Sequence, residues 1–308
     1  MLRYACLRLA LLVPVLLAAS LIVFVLGRLA PGDPVSLILA EQASHPEVVE
    51  RIKAEFGLDR PIPVQYLYWL RRAVTGDLGI SLFRFGRPVT EIIGEGLATT
   101  VKLAAVALAL AIVAGVTLGV CGAVWRGTWI DSASLAIALI GVSIPRFVLG
   151  PLGILLFALG LHVLPVAGWG RWDHYVLPAA ALSAQGLATI CRLTRSSLVE
   201  TLERDYVRTA RAKGCPERAV VLRHALKNAL VPVVTLVGTT FGYLLSGSFI
   251  IETIFNVPGI GRLGVTAIFQ RDYPVIQGIT LVMVILFMLI NLAVDLAYSV
   301  LNPRVRYE

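Results

Sequence analysis

Six long apolar stretches dominate this sequence, at about 7–29, 97–124, 133–160, 176–196, 229–250 and 276–300. Each is about 20 residues or longer, and a helix of that length crosses a hydrocarbon core about 30 Å thick. In lipid, every backbone polar group must be satisfied inside a helix or a closed barrel, and uninterrupted apolar runs of this length select helices. The expected fold class is therefore an all-α polytopic membrane protein with six transmembrane helices. Charge content agrees: 15% of residues are charged and 57% apolar, against about 25% charged in soluble domains. The first stretch ends without a clear A-x-A site and precedes further spans, so it reads as a retained anchor rather than a signal peptide.

The net charge of +8 does not point to nucleic acid, because the cations cluster at span ends. With a cytoplasmic N-terminus, the inner ends carry Arg3, Arg8, Arg126, the nine Arg and Lys residues from Arg192 to Lys227, Arg304 and Arg306. The outer ends and short loops then carry only Arg28, Arg171, Arg262 and Arg271. The positive-inside rule places both termini in the cytoplasm, and the surrounding lipid is the partner this pattern fits. The chain divides into an N-terminal helix (1–29), an extracytoplasmic region (30–94), a five-helix membrane domain (95–300) with a cytoplasmic loop at 197–228, and a cytoplasmic tail (301–308).

In the external region, Ala30-Pro31-Gly32-Asp33-Pro34 stops the first helix, since proline cannot continue one. Residues 46–56 have helical spacing, with Val48, Val49, Ile52 and Phe56 toward one face and Gly57 at the end. A second helix is expected over 63–74, whose Tyr66, Tyr68 and Trp69 suit a membrane–water interface or packing against the outer ends of spans. The second span is rich in small residues, Ala104, Ala105, Ala107, Ala109, Ala111, Ala114, Gly115 and Gly119, which permit close helix approach. Cys6, Cys121, Cys191 and Cys215 fall in spans or on the inner side, so no disulfide framework is expected.

Catalytic signatures are missing from the sequence. It has no G-x-x-x-x-G-K-[ST] phosphate loop and no H-E-x-x-H, and His45, His162, His174 and His224 lack metal-ligand spacing. No catalytic residue, metal site or cofactor is expected in this chain. Ionisable groups within spans are functional candidates by default. Arg146 follows Pro145, which should kink the third span, and lies about 20 Å from that span's inner end at 1.5 Å per residue. It either meets an anionic group in a water-filled path or snorkels and pairs with carbonyls freed by the kink. Asp295 and Asn291 fit a polar contact between helices. Lys102, Arg146 and Asp295 are too few and scattered for the relay of an ATP-independent channel or secondary carrier.

The most hydrophilic stretch after residue 97 is the basic loop at 192–227. A short helix is expected over 205–213, with Asp205 at its positive end and Arg211 and Lys213 near its negative end. Gly214 can end it in the left-handed conformation, and Pro216 can open the next helix. Within the loop, Arg208-Thr209-Ala210-Arg211-Ala212-Lys213-Gly214, followed by Arg223-His224-Ala225-Leu226, Asn228 and Pro232, resembles the dipeptide/oligopeptide branch of ATP-binding-cassette importer permeases. Against the wider E-A-A-x3-G-x9-I-x-L-P motif, Arg208, Thr209, His224 and Lys227 depart while Ala210, Gly214 and Leu226 keep register. Leu29 to Pro34, Phe56 to Pro61, Gly76-Asp77-Leu78-Gly79, Pro258-Gly259, Arg271-Asp272-Tyr273-Pro274 and Pro303 to Arg306 extend the resemblance along the chain. Arg146 departs from the branch, where a small or neutral residue usually follows the proline.

The resemblance implies a type I ABC importer permease fold in the inner membrane of a prokaryote. It also implies a second homologous permease, two cytoplasmic ATPase subunits that hold ATP and Mg, and an external solute-binding protein. Asp205, Tyr206, Arg208, Thr209, Ala210, Arg211, Lys213 and Gly214 would form the ATPase-coupling loop. Glu252, Arg262 and Asp272 would meet the binding protein; Pro145 and Arg146 are candidates for the translocation pathway from their position in the third span, not from the resemblance. Di- or oligopeptides are the expected cargo, with glutathione or nickel as the alternatives within the branch.

Overall fold

The computed structural model describes residues 2–29 and 60–301, apart from positions 82, 85 and 247. The expected stop at 30–34, the helix at 46–56, Gly57, the tail at 303–306 and the Asp295 side chain lie outside the described residues. Among the described residues there is no strand, only one isolated antiparallel bridge between Ile80 and Pro88.

Among the described residues, twelve helical segments follow one another: α1 (Leu2–Leu29), α2 (Ile62–Val74), α3 (Val89–Val124), α4 (Trp129–Ser143), α5 (Arg146–Gly160) and α6 (Asp173–Leu202). Then come α7 (Asp205–Ala212), α8 (Glu217–Ala229), α9 (Val231–Ser246), α10 (Phe249–Ile254), α11 (Ile260–Gln270) and α12 (Tyr273–Leu301). α3, α6 and α12 are each long and apolar enough to cross a membrane. The pairs α4–α5 and α8–α9 pass only when each is taken as one broken span, bent by 107° and 55°. By length and composition the described residues therefore hold three spans, or up to five with each bent pair taken as one, and the apolar run within α1 is the shorter Val13–Gly27.

The third span is not the kinked continuous helix that 133–160 suggested. α4 ends at Ser143, Ile144 is extended at φ −93° and ψ 121°, and Pro145 precedes a new helix. A proline ring disfavours the helical conformation of the residue before it, and Pro145 brings no N–H. The helix therefore breaks at Ile144, and Arg146 opens α5 instead of lying mid-span. α5 closes in π-helical turns over Ile154–Gly160. The polar ends of other helices also extend past the apolar runs: α3 starts at Val89, and α6 continues to Leu202.

The chain forms two compact units. One comprises residues 2–99 and 258–288. Its core holds Leu78, Val89, Ile92, Ile93, Ile260, Leu263, Ala267 and Val275. α1 is tied to α2 by the Phe24, Tyr66 and Trp69 rings, with Ser20 and Tyr66 hydroxyls 2.9 Å apart.

The other unit comprises residues 100–257 with the chain from 289 onward. α6 is its central element, packing against α4, α5, α8, α9 and α10. Small residues set how closely the helices approach. Ala104, Ala107 and Ala111 on α3 are fully buried, and a Cβ on Gly119 would meet the Cys191 carbonyl oxygen at 2.7 Å. On α4, a Cβ on Gly141 would lie 2.7 Å from the Ala184 carbonyl oxygen. Asp131 on α4 takes a two-point grip from Arg195 on α6, at 2.5 and 2.7 Å, and caps the Gly127 amide at 3.0 Å.

Candidate functional site

The expected elbow is present between α6 and α8. Its polar flanks continue as helix, so 197–202 belongs to α6 and 226–229 to α8. α7 spans Asp205–Ala212, with Asp205 in its first turn and Arg211 in its last, each complementing the helix dipole. Gly214 adopts φ +76°, a conformation glycine takes without steric cost. Pro216 then sits just before α8, at φ −61° and ψ 143°.

One face of α7 seats the helix. Val207 and Ala210 are buried with Leu198 of α6, Ala123 of α3 and Val220, Val221, Ala225 and Ala229 of α8. Ala210 thus packs inward rather than presenting itself to a partner. The other face is solvent-exposed and carries Asp205, Tyr206, Arg208, Thr209 and Lys213. The turn is clipped by Arg211, which donates to both Glu217 carboxylate oxygens at 3.1 and 2.7 Å. That hydrogen bond raises the Arg211 pKa further, so the guanidinium stays charged at any physiological pH. Asn228 Nδ2 donates to the Tyr206 hydroxyl at 2.9 Å, joining α8 to the start of α7. The result is a braced, mixed-charge ledge.

At the break in the third span, Arg146 is half-buried and donates from Nη2 to Gln185 Oε1 of α6 at 2.8 Å. Pro145 occupies the cap position of α5, which has no acidic residue in its first turn. A cation there adds to the positive end of the helix dipole instead of balancing it.

The three residues expected to meet a binding protein differ in placement. Glu252, on α10, is fully buried and accepts from the Thr100 hydroxyl at 2.6 Å. Asp272, just before α12, is 2% exposed and accepts from the Ser81 hydroxyl. Both carboxylates hold the protein's own loops and helices, which corrects their assignment to an outer contact surface. Burying a charge is costly unless it is hydrogen-bonded, and the two hydroxyl donors supply part of that compensation. Only Arg262 remains accessible, in a cleft of about 380 Å³ shared with Arg84, Glu95, Thr99, Pro258 and Thr266.

Residues 111–307 match the family described as binding-protein-dependent transport system inner membrane component, and residues 1–104 match its N-terminal family. The chain belongs to that family. It is 43% identical to the glutathione transport system permease protein GsiC of Escherichia coli strain K12, with both chains covered in full. The corresponding GsiC proteins of E. coli O6:H1 strain CFT073 and Salmonella choleraesuis strain SC-B67 are 44% and 42% identical, again over 100% of each chain. Among solved structures, the inward-facing methionine ABC transporter MetNI matches 68% of this chain and 96% of its own, with TM-score 0.55 and 21% identity. An amino acid ABC transporter crystallised with histidines matches 70% and 95%, with TM-score 0.53 and 16% identity. These two show a shared type I ABC permease fold. The protein is an inner-membrane permease subunit of an ABC importer, a transport component of the dipeptide/oligopeptide-like branch.

Proposed function

We propose that this permease carries glutathione inward across the cytoplasmic membrane. The reading rests on one observation: 42–44% identity, without truncation of either chain, to permeases named for glutathione transport. It moves the cargo from the general di- or oligopeptide expected from sequence motifs to one tripeptide. A solute-binding protein delivers the cargo outside, and two ATPase subunits, which carry the ATP and Mg, act on this chain and a second permease. The elbow supports the coupling role. Its exposed face, with Asp205, Tyr206, Arg208, Thr209 and Lys213, is the docking ledge, and its buried face transmits displacement into α6 and α8 through Val207 and Ala210. The termini and the elbow lie on the cytoplasmic side, where the cations concentrate.

The test is uptake of labelled glutathione into proteoliposomes holding the assembled complex, with binding protein outside and ATP inside. Uptake that needs both ATP and the binding protein, and that excess dialanine does not suppress, is the expected result. Dialanine uptake without glutathione uptake would return the cargo to dipeptides. Flux through this chain alone without ATP would overturn the importer reading itself.

A further inference from the structure

α6 has an unusual outer face. Toward the rest of its unit it buries Leu177, Ala181, Leu182, Gly186, Ala188, Ile190, Thr194 and Leu198. On the opposite side, Gln185, Arg192 and Ser196 are exposed and Thr189 is half-buried. These positions recur at intervals of three and four residues, so they form one polar stripe along the helix. Polar and ionisable groups in membrane helices face a bundle interior or a water-filled cavity rather than lipid.

The cations on and around this stripe are unequally paired. Arg195 takes Asp131, and Arg204 takes Glu200. Arg146 and Arg192, by contrast, have no carboxylate partner among the described residues, and Arg146 has only the neutral Gln185 amide. Gln185, which marks the Arg146 level, and Arg192 are seven residues apart, about 10 Å along the helix axis. A guanidinium held without a counter-ion at a broken membrane helix is costly, and an arriving carboxylate would relieve that cost by charge-assisted hydrogen bonds.

We infer that Arg146 and Arg192 form a two-point anion reader on the translocation face of α6, taking carboxylates at separated positions of a peptide cargo. This rests on the glutathione reading for its preferred ligand. Glutathione carries one carboxylate at each end of an extended tripeptide, whereas a simple dipeptide carries one. Gln185 positions Arg146 and is exchanged for a cargo carboxylate as the peptide passes, while Thr189 and Ser196 keep the face between the two cations polar.

The test uses the assembled complex at saturating loaded binding protein and reads glutathione moved per ATP hydrolysed. Arg146→Gln and Arg192→Gln should each lower that ratio roughly tenfold, with Arg146→Lys and Arg192→Lys falling between. Stimulated ATP hydrolysis and co-purification with the partner subunits should stay near wild type. Gln185→Glu is the sharpest variant, because it gives Arg146 a built-in anion. The inference expects Gln185→Glu to lower transport while the thermal midpoint stays or rises. A purely structural arginine would gain the midpoint and keep wild-type transport, and that result, or unchanged ratios in both Gln variants, overturns the inference. If the wild-type complex moves no glutathione, the cargo reading falls separately, and the same variants are read with labelled dialanine. Loss in either Gln variant then supports an anion reader, and unchanged dialanine uptake in both overturns it.

Discussion

At the residue scale, the contact between α3 and α6 depends on the missing Cβ of Gly119. A methyl there would sit 2.7 Å from both the Cys191 carbonyl oxygen and Thr194 Cβ. Alanine gains about 1 kcal/mol of helix propensity over glycine, but overpacking costs about 1–3 kcal/mol when the neighbour cannot yield. A backbone carbonyl inside a helix cannot yield, so the steric term wins. Gly119→Ala should lower the thermal midpoint of the purified chain, whereas Gly94→Ala, with nothing within 4 Å of its Cβ position, should leave it level or raise it. Equal midpoints would mean that α3 and α6 are not held at this distance. The close approach was legible in the sequence as a run of alanines and glycines, but not which of them touch. Ala104, Ala107 and Ala111 face inward while Ala105 and Ala109 are exposed, a sorting that tertiary packing, such as that of Ala111 with Ile190 of α6, decides.

At the element scale, α7 has two faces with separable consequences. Val207 is fully buried in the elbow core, and Val207→Ala should cost about 1–3 kcal/mol through lost burial and a residual cavity. Arg208 is 71% exposed and only loosely paired with Asp205 at 3.7 Å, so its replacement should alter stability by less than about 0.5 kcal/mol. Arg208→Glu should therefore keep the midpoint yet reduce binding-protein-stimulated ATP hydrolysis severalfold, while Val207→Ala reduces both. An Arg208→Glu complex with normal stimulated hydrolysis would take that side chain out of the docking face. The elbow was legible because local chemistry wrote it: Gly214 supplies a positive φ, Pro216 a start, and Asp205 and Arg211 the dipole partners. The break at Ile144 was half-legible, since a proline announces a disruption but not a 107° turn. Glu252 and Asp272 were misread for a different reason. Their hydroxyl donors, Thr100 and Ser81, lie 152 and 191 residues away, and a charged residue near a loop reads as exposed until such a distant donor is brought to it.

At the scale of the whole molecule, α6 fixes how its unit must lie across the bilayer. Its 30 residues extend about 45 Å, well beyond a hydrocarbon core of about 30 Å, long enough for its two ends to emerge on opposite sides. Trp172, 78% exposed, precedes one end, and the elbow with exposed Lys213 follows the other. Arg192, Arg195 and Arg204 load the elbow end with cations and leave only Arg171 near the first, so the positive-inside rule predicts that the elbow end is the cytoplasmic one. In a chain whose native cysteines are replaced, a membrane-impermeant maleimide added to spheroplasts should label Trp172→Cys directly. Lys213→Cys should react only after the membrane is permeabilised. The reverse pattern would invert the molecule and detach the elbow from any cytoplasmic ATPase, and labelling of both sites in intact spheroplasts would show that α6 does not span. Because the elbow directly follows the helix that carries Gln185, the Arg146 partner, and Arg192, a single orientation decides both: the ledge meets the cytoplasm only if the stripe runs inward from the broken span toward it.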